Sequence, residues 1–352
     1  MVLNEKNSCD YLAQKGFLDM QLLWARCQRH LVLAAKNETD SILVKQEGTN
    51  KLLFGNSSLD KEYWFYSVGS AGLSTTLNKS IPRVHFIDKE NKILAFQYYS
   101  SANPLLKVLK SNPHRGELCA KTIGMWLGKL HSESIALLEV IPAGSPPIHW
   151  DAIDEMSWKG YSGRGPLSIE LAKRIRKTDG LIEKLNKIES SSAIETLIHG
   201  DLKLDNIIWQ RGGASPVFKV IDWELCGRGD PHKDIGKVIG GFLSIWIQSI
   251  SVHRDLSVSE WLRRATVPYS TIQVWIQSFF ESYSQESSGV LFKNIDLSRV
   301  VEFAALALIE DFISASYYKL EFSAQDLARY QVATNLLREP ERLAIQLEPT
   351  IC

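Results

Sequence analysis

Three short segments constrain this chain more than any other feature: LIHGDLKLDN (197–206), VIDWE (220–224) and GDPHKDIG (229–236). Each joins an apolar run or a glycine turn to acidic or amide side chains. Taken singly, each is a weak signal, because an Asp in a turn at a strand end is usually a turn or cap residue. Their order and spacing carry the argument. His199 and Gly200 lead into Asp201, four residues separate Asp201 from Asn206, and Asp222 closes the next apolar run. Phosphoryl transfer from ATP needs a carboxylate to take the proton of a positioned hydroxyl and Mg²⁺ held on hard oxygen ligands. It also needs a cation on the α- and β-phosphates. Upstream, Lys45 sits in the strand-like run ILVKQ, and Glu62 lies on the next predicted helix.

The pattern around these segments predicts a β-rich first third and a helical remainder. Leu31–Ala35 and Ser41–Gln46 are short apolar runs flanking the polar turn Lys36–Asp40, which reads as a hairpin. A helix is expected from near Asp60, and a second hairpin from Val84–Asp88 and Ile93–Tyr99. Ser100–Pro104 (SSANP) is a breaker cluster where a hinge is expected. Gly116–Ser132 then places Leu118, Ile123, Trp126, Leu127 and Leu130 at helical spacing. Ser168–Lys187 reads as one charged helix, Leu197–Gln210 and Val217–Trp223 as short strands about the turn Arg211–Ser215, and the chain from Asp234 as helices. The expected fold class is therefore α+β. Residues 1–99 would form a small β-rich lobe with one helix, and residues 100–352 a larger, mainly helical lobe.

Composition excludes several function classes. The 352 residues are 45% hydrophobic, with 10 Trp, 11 Tyr and 13 Phe, ample material for a core and unlike a disordered chain. Forty Lys+Arg balance forty Asp+Glu, so the excess of positive charge expected of a general nucleic-acid binder is missing. The five cysteines are scattered, without a CxxC pair, which points to reduced thiols and a cytoplasmic protein. No apolar secretory segment opens the chain, and Val238–Ile250 falls short of the roughly 18 apolar residues of a spanning helix. It reads as a buried helix, and no membrane partner is expected.

At the segments quoted above, the chain resembles the aminoglycoside phosphotransferase/choline kinase family, which has a bilobal protein-kinase-like fold. IHGDLKLDNII with VIDWE and GDPHKDIG is closer to that family than to protein kinases, which carry Asp-Phe-Gly where this chain has Asp222-Trp223-Glu224. The resemblance runs from about Gln21 to Tyr318. It implies a small antiparallel, nucleotide-binding sheet in residues 1–99 and the catalytic loop, metal site and acceptor-binding helices in residues 100–352. It implies that Asp201 orients or deprotonates the acceptor hydroxyl and that Asn206 and Asp222 ligate Mg²⁺. It implies that Lys45 contacts the α- and β-phosphates, that Glu62 holds Lys45, and that the backbone from Gln97 to Tyr99 reads the adenine. His199 and Asp234 would be structural, bracing the catalytic loop. Lys203 would reach the γ-phosphate, or else be a solvated surface lysine. Two departures stand out. Ala25–His30, where family members often carry phosphate-loop glycines, has none, so coverage would fall to Arg26, Arg29 or His30. Asp205 stands where Gly is common.

Other residues admit two readings. Glu224 is an acceptor contact or a cap. Asp151, Asp154 and Glu155 are a cationic-acceptor site or a solvated helix start. Glu310 and Asp311 interrupt the apolar helix AALALIEDFISASYY, and Asp311 is a candidate acceptor contact. The leading expectation is a Mg²⁺- and ATP-dependent transfer of the γ-phosphate to a hydroxyl of a small molecule, such as an aminoglycoside, an amino alcohol or a sugar. The alternatives are a kinase acting on Ser/Thr of a ribosomally made peptide, and a kinase-fold binding module that has lost turnover.

Overall fold

The structure, a computed structural model, describes residues 1–27, 30–48, 59–145, 167–190, 194–210, 217–252, 255–287 and 289–347. The turn Arg211–Ser215, the cluster Asp151, Asp154 and Glu155, and Arg29 lie outside the described residues. The chain divides into two compact units, Met1–Pro104 with Asn206–Leu225, and Leu105–Asp205 with Cys226–Cys352. The first unit thus takes in a later stretch of chain that a division at residue 99 assigns elsewhere. Lys45, Glu62, Asn206 and Asp222 share the first unit; Asp201 and Asp234 share the second.

The first unit is built on a five-stranded antiparallel sheet in the order β1-β2-β3-β5-β4. Its strands are β1 (Gln21–Cys27), β2 (Leu31–Lys36), β3 (Ser41–Gln46), β4 (Val84–Asp88) and β5 (Ile93–Gln97). Alternation along β3 sorts its side chains between two faces. Ile42 and Val44 join Leu33, Ala35, Ile93 and Ala95 in a core that Tyr11 and Leu12 of the Ser8–Gln14 helix close. Leu43 packs on the other face against Leu59, Tyr63, Leu94 and Phe96, around the Asp60–Ser67 helix. Lys45 shares the parity of Leu43, so its side chain is directed to that helix.

The sequence reading lacks two elements at the start of this unit. The Ser8–Gln14 helix and β1 precede the first expected strand. β1 is half-exposed and carries a register irregularity between Leu22 and Trp24, so its sequence lacks a clean period of two. Ala25–Cys27, read as part of a phosphate loop, still pairs with Leu33–Leu31 of β2. A separate hairpin of Ile207–Gln210 and Val217–Val220 pairs through Trp209 and Ile208 with Asn103–Pro104.

The second unit is mainly helical. The long Pro231–Ser249 helix opens on Asp230, whose carboxylate accepts from the His232 N–H at 3.0 Å, with Pro231 at the first helical position. That is a favourable start, since the cap fills a free N–H and Pro has none to lose. Ile235, Val238, Ile239, Phe242, Leu243, Ile245 and Ile247 of this helix are buried. Among the described residues no helix is long and apolar enough to cross a membrane. The stretch read as one helix over Ser168–Lys187 is two, Leu167–Lys177 and Leu181–Ser190. The break falls at Gly180, whose φ of +67° is left-handed and ends a helix at little cost to glycine. An antiparallel sheet unit and a mainly helical unit together form the expected α+β class.

Candidate active site

In the first unit one ammonium gathers three carboxylates. Lys45 Nζ donates to Glu62 Oε2 at 2.8 Å, to Asp222 Oδ1 at 2.6 Å and to Glu224 Oε2 at 3.1 Å. Glu62 is only 1% exposed. Burial alone would push the Lys45 pKa down, but Glu62, Asp222 and Glu224 outweigh it and hold it well above the usual lysine value. Burial pushes the Glu62 carboxyl up, to about 7, against the pull of Lys45. Three carboxylates against one ammonium leave the centre electron-rich, with the ligand oxygens of Glu62, Asp222 and Glu224 within 4.8 Å of one another. Hard oxygens with surplus negative charge are the donor type that suits a divalent cation such as Mg²⁺.

Local structure holds these groups. Asp222 has φ +67°, a left-handed conformation that costs a non-glycine residue on the order of 1 kcal/mol or more. Asp222 lies two residues past the Val217–Val220 strand and is followed by Trp223, whose ring stacks on Phe65 of the Asp60–Ser67 helix at 3.7 Å and 9°. The Ile221 N–H donates to the Asn206 carbonyl at 2.9 Å, tying the two expected metal ligands to one hairpin. Trp223 is fully buried. Trp223→Ala is expected to lower the stability of the fold by about 3–5 kcal/mol, as read by urea unfolding; a loss under 1 kcal/mol would show that the stack does not hold this loop.

His30 also enters this centre. The Gly48 N–H donates to His30 Nδ1 at 3.3 Å, so the ring proton is assigned to Nε2, which lies 3.0 Å from Glu224 Oε2. Glu224, read from sequence as an acceptor contact or a cap, is thus engaged by Lys45 and His30. Arg26 lies near Trp24, its guanidinium 5.3 Å from the ring.

In the second unit the HGD turn is braced from below. Both oxygens of buried Asp234 accept backbone N–H bonds, from His199 at 2.7 Å and Gly200 at 2.9 Å. Gly200 has φ +82°, open to glycine at no steric cost. The Asp201 N–H donates to His199 Nδ1 at 3.2 Å. The Asp201 carboxylate faces Lys203 Nζ at 2.7 Å on Oδ2 and Lys237 Nζ at 3.2 Å on Oδ1. Burial would raise the Asp201 pKa, but Lys237 and Lys203 together hold it well below the usual carboxylate range. Asp201 is therefore ionised at neutral pH.

The remaining expected residues fall in several places. The Gln97 N–H donates to the Arg83 carbonyl at 2.8 Å, and the Tyr98 N–H to the Ser41 carbonyl at 2.7 Å. The Gln97 amide bonds the Ser41 and Tyr98 carbonyls, and the Tyr99 ring faces Lys219 Nζ at 5.7 Å. Asp311 accepts from Ser244 Oγ at 3.2 Å, and its side chain is 51% exposed. A small cleft of about 80 Å³ is lined by Lys203, Asp205, Lys237, Ser244 and Asp311 among others. Glu310 pairs with Lys237. Sequence reasoning missed Lys237, although a lone cation in the apolar run IGKVIGG and an acid in the apolar run AALALIE are a signal of pairing between helices.

The model of the phosphotransferase enzyme family (APH) matches residues 111–257, less than half of the chain. No curated protein matches in sequence. Solved structures match over nearly the whole length. A putative aminoglycoside phosphotransferase from Ralstonia eutropha JMP134 is 14% identical with TM-score 0.56, covering 97% of this chain and 98% of its own. A spectinomycin phosphotransferase solved with ADP and spectinomycin is 12% identical with TM-score 0.54, over 97% and 100%. A choline/ethanolamine kinase family protein from Mesorhizobium loti is 14% identical with TM-score 0.52, over 97% and 96%. At such identities the likeness is one of fold. In fold throughout, and in sequence across the segments that carry Asp201, Asn206, Asp222 and Asp234, the chain is similar to the aminoglycoside phosphotransferase/choline kinase family.

Proposed function

We propose that the protein is a Mg²⁺- and ATP-dependent phosphotransferase acting on a hydroxyl of a small molecule. The observation that carries this reading is the buried Lys45 centre, in which one ammonium is held by Glu62, Asp222 and Glu224. A binding module has no need of three carboxylates gathered around a lysine, whereas a triphosphate with its metal uses both signs of charge. Lys45 would bind the α- and β-phosphates, positioned by Glu62, and the backbone at Tyr99 would read the adenine. Mg²⁺ held by Asp222 and Asn206 would supply neutralisation of the phosphate charge.

Asp201 takes the part of the base. The acceptor oxygen forms the new bond to the γ-phosphorus, the bond from phosphorus to the bridging oxygen breaks, ADP leaves, and the hydroxyl proton passes to Asp201. A strongly ionised carboxylate is a weak base. That suffices, because phosphoryl transfer depends mainly on positioning and charge stabilisation. Asp205 and the half-exposed Asp311 offer carboxylates to a cationic acceptor, which favours an amino alcohol or amino sugar.

The test is incubation with Mg²⁺ and γ-labelled ATP against aminoglycosides, choline-like alcohols, homoserine, amino sugars and Ser/Thr-containing peptides, with Asp201→Asn as the control. Label on a small molecule, lost in the variant, is the expected result. Label on peptides alone would replace the acceptor class. Absence of ATP binding would overturn the reading.

A further inference from the structure

We propose that Lys237 is a positioning residue that pins one oxygen of Asp201 and so reserves the other for the acceptor hydroxyl. The inference rests on the catalytic reading of Asp201 and adds a residue that lies outside the expected site.

The geometry starts from the Pro231–Ser249 helix. Asp234 and Lys237 are three residues apart, and residues at that spacing share a helix face. Asp234 fixes the backbone of the turn at His199 and Gly200, while Lys237 reaches the Asp201 side chain at Oδ1. One face of one helix therefore sets both the path of the loop and the orientation of its carboxylate. Lys237 is itself held by Glu310 of the Leu297–Tyr318 helix. Close approach of the two helices permits that pair. A Cβ at Gly236 would lie 2.3 Å from Phe303 Cβ, and one at Gly240 would lie 2.8 Å from Ala307 Cβ.

The two ammonium groups on Asp201 differ in freedom. The Lys237 side chain is 13% exposed and tied to Glu310, whereas Lys203 is 49% exposed. Each Asp201 oxygen meets one ammonium, and the oxygen whose cation gives way is the one most open to a hydroxyl. Lys203 can swing to a phosphate, an anion that competes for it; Lys237 stays. Oδ2 is then the oxygen that takes the proton, and Oδ1 is the fixed one. The titratable and charged groups that bear on Asp201 include Lys203, His199 and Asp205 from its own loop and Lys237 from the helix below, with Glu310 behind Lys237.

The experiment compares the full chain with Lys237→Met, Lys237→Met/Glu310→Gln, Lys237→Arg and Lys203→Met. The double variant removes both members of the pair and leaves no bare buried charge should Lys237→Met fail to fold. The first readout is the ¹³C titration of the Asp201 carboxyl, identified by its loss in Asp201→Asn. It is expected to move up by about one pH unit or more in the double variant, the size of effect of losing one close opposite charge. The second is kinetics with γ-labelled ATP and whichever compound of the panel accepts label. The double variant is expected to lose about 100-fold in kcat, as misplaced reacting groups do, with KM for ATP within about threefold. Lys237→Arg is expected to recover part of kcat, and Lys203→Met to act chiefly on KM for ATP. An unmoved titration in the folded double variant, or kcat within about twofold of wild type, overturns the assignment. A wild-type protein that labels nothing on the panel defeats the catalytic reading instead, and the titration still decides whether Lys237 pins Asp201.

Discussion

Asp201→Asn is expected to lower phosphoryl transfer by about 10²–10⁴-fold while leaving the affinity for Mg²⁺-ATP within about threefold. The reasoning is chemical and spatial. An amide has nearly the volume of the carboxylate, so the turn held by Asp234 through His199 and Gly200 keeps its path. What disappears is the acceptor of the proton and the negative charge that Lys203 and Lys237 face. The groups proposed to hold the triphosphate and its metal, Lys45, Glu62, Asn206 and Asp222, belong to the other compact unit, where Lys45 keeps its bonds to Glu62, Asp222 and Glu224. Binding and chemistry should therefore separate. Nucleotide titration calorimetry reads the first, and single-turnover transfer from γ-labelled ATP reads the second. Near-wild-type transfer in the variant would remove Asp201 from the chemistry. A loss of both together would mean that the loop, rather than the proton acceptor, had been damaged.

How much of this was legible in the sequence depends on the range of the interaction. The HGD turn is local. Its glycine and its carboxylate sit within one short stretch, whereas the brace at Asp234, 35 positions beyond His199, is implied only by the family resemblance. The Lys45–Glu62 pair was expected from the family resemblance, with Lys45 on a predicted strand and Glu62 on the helix that follows, and the two side chains meet at 2.8 Å. Interactions between distant segments were harder to read. His30 meets Glu224 across 194 positions and Lys237 meets Glu310 across 73, and periodicity encodes neither partner. β1 escaped because a half-exposed strand with a register irregularity has no clean alternation to detect. The break at Gly180 escaped because the flanking segments are both amphipathic, so the charge pattern runs on across a backbone turn that only the φ of one residue marks.

The centre around Lys45 makes the other large prediction, and its sign can be worked out. Lys45→Met removes the ammonium that Glu62, Asp222 and Glu224 share. Stripping one partner from a buried charge cluster costs about 3–5 kcal/mol, and here the groups left behind also repel one another. The Glu62 pKa already stands at about 7, raised by burial and opposed chiefly by Lys45, so in the variant it rises further. A carboxyl whose folded pKa exceeds its unfolded value contributes stability that is fully present below the unfolded value, about 4.3, and lost as pH rises through the folded one. The destabilisation of Lys45→Met relative to wild type is therefore expected to be smaller at about pH 5.5 than at about pH 8, measured by urea unfolding in a chelator. Added Mg²⁺ is expected to recover part of the loss at the higher pH, because a divalent cation binding only the folded cluster stabilises it by mass action. Lys45→Met/Glu62→Gln is expected to recover part of it without metal, since the most deeply buried carboxylate is then neutral. Equal losses at both pH values would mean that repulsion among the three carboxylates is not what Lys45 restrains, and the argument that this cluster is built to carry a cation would fall with it.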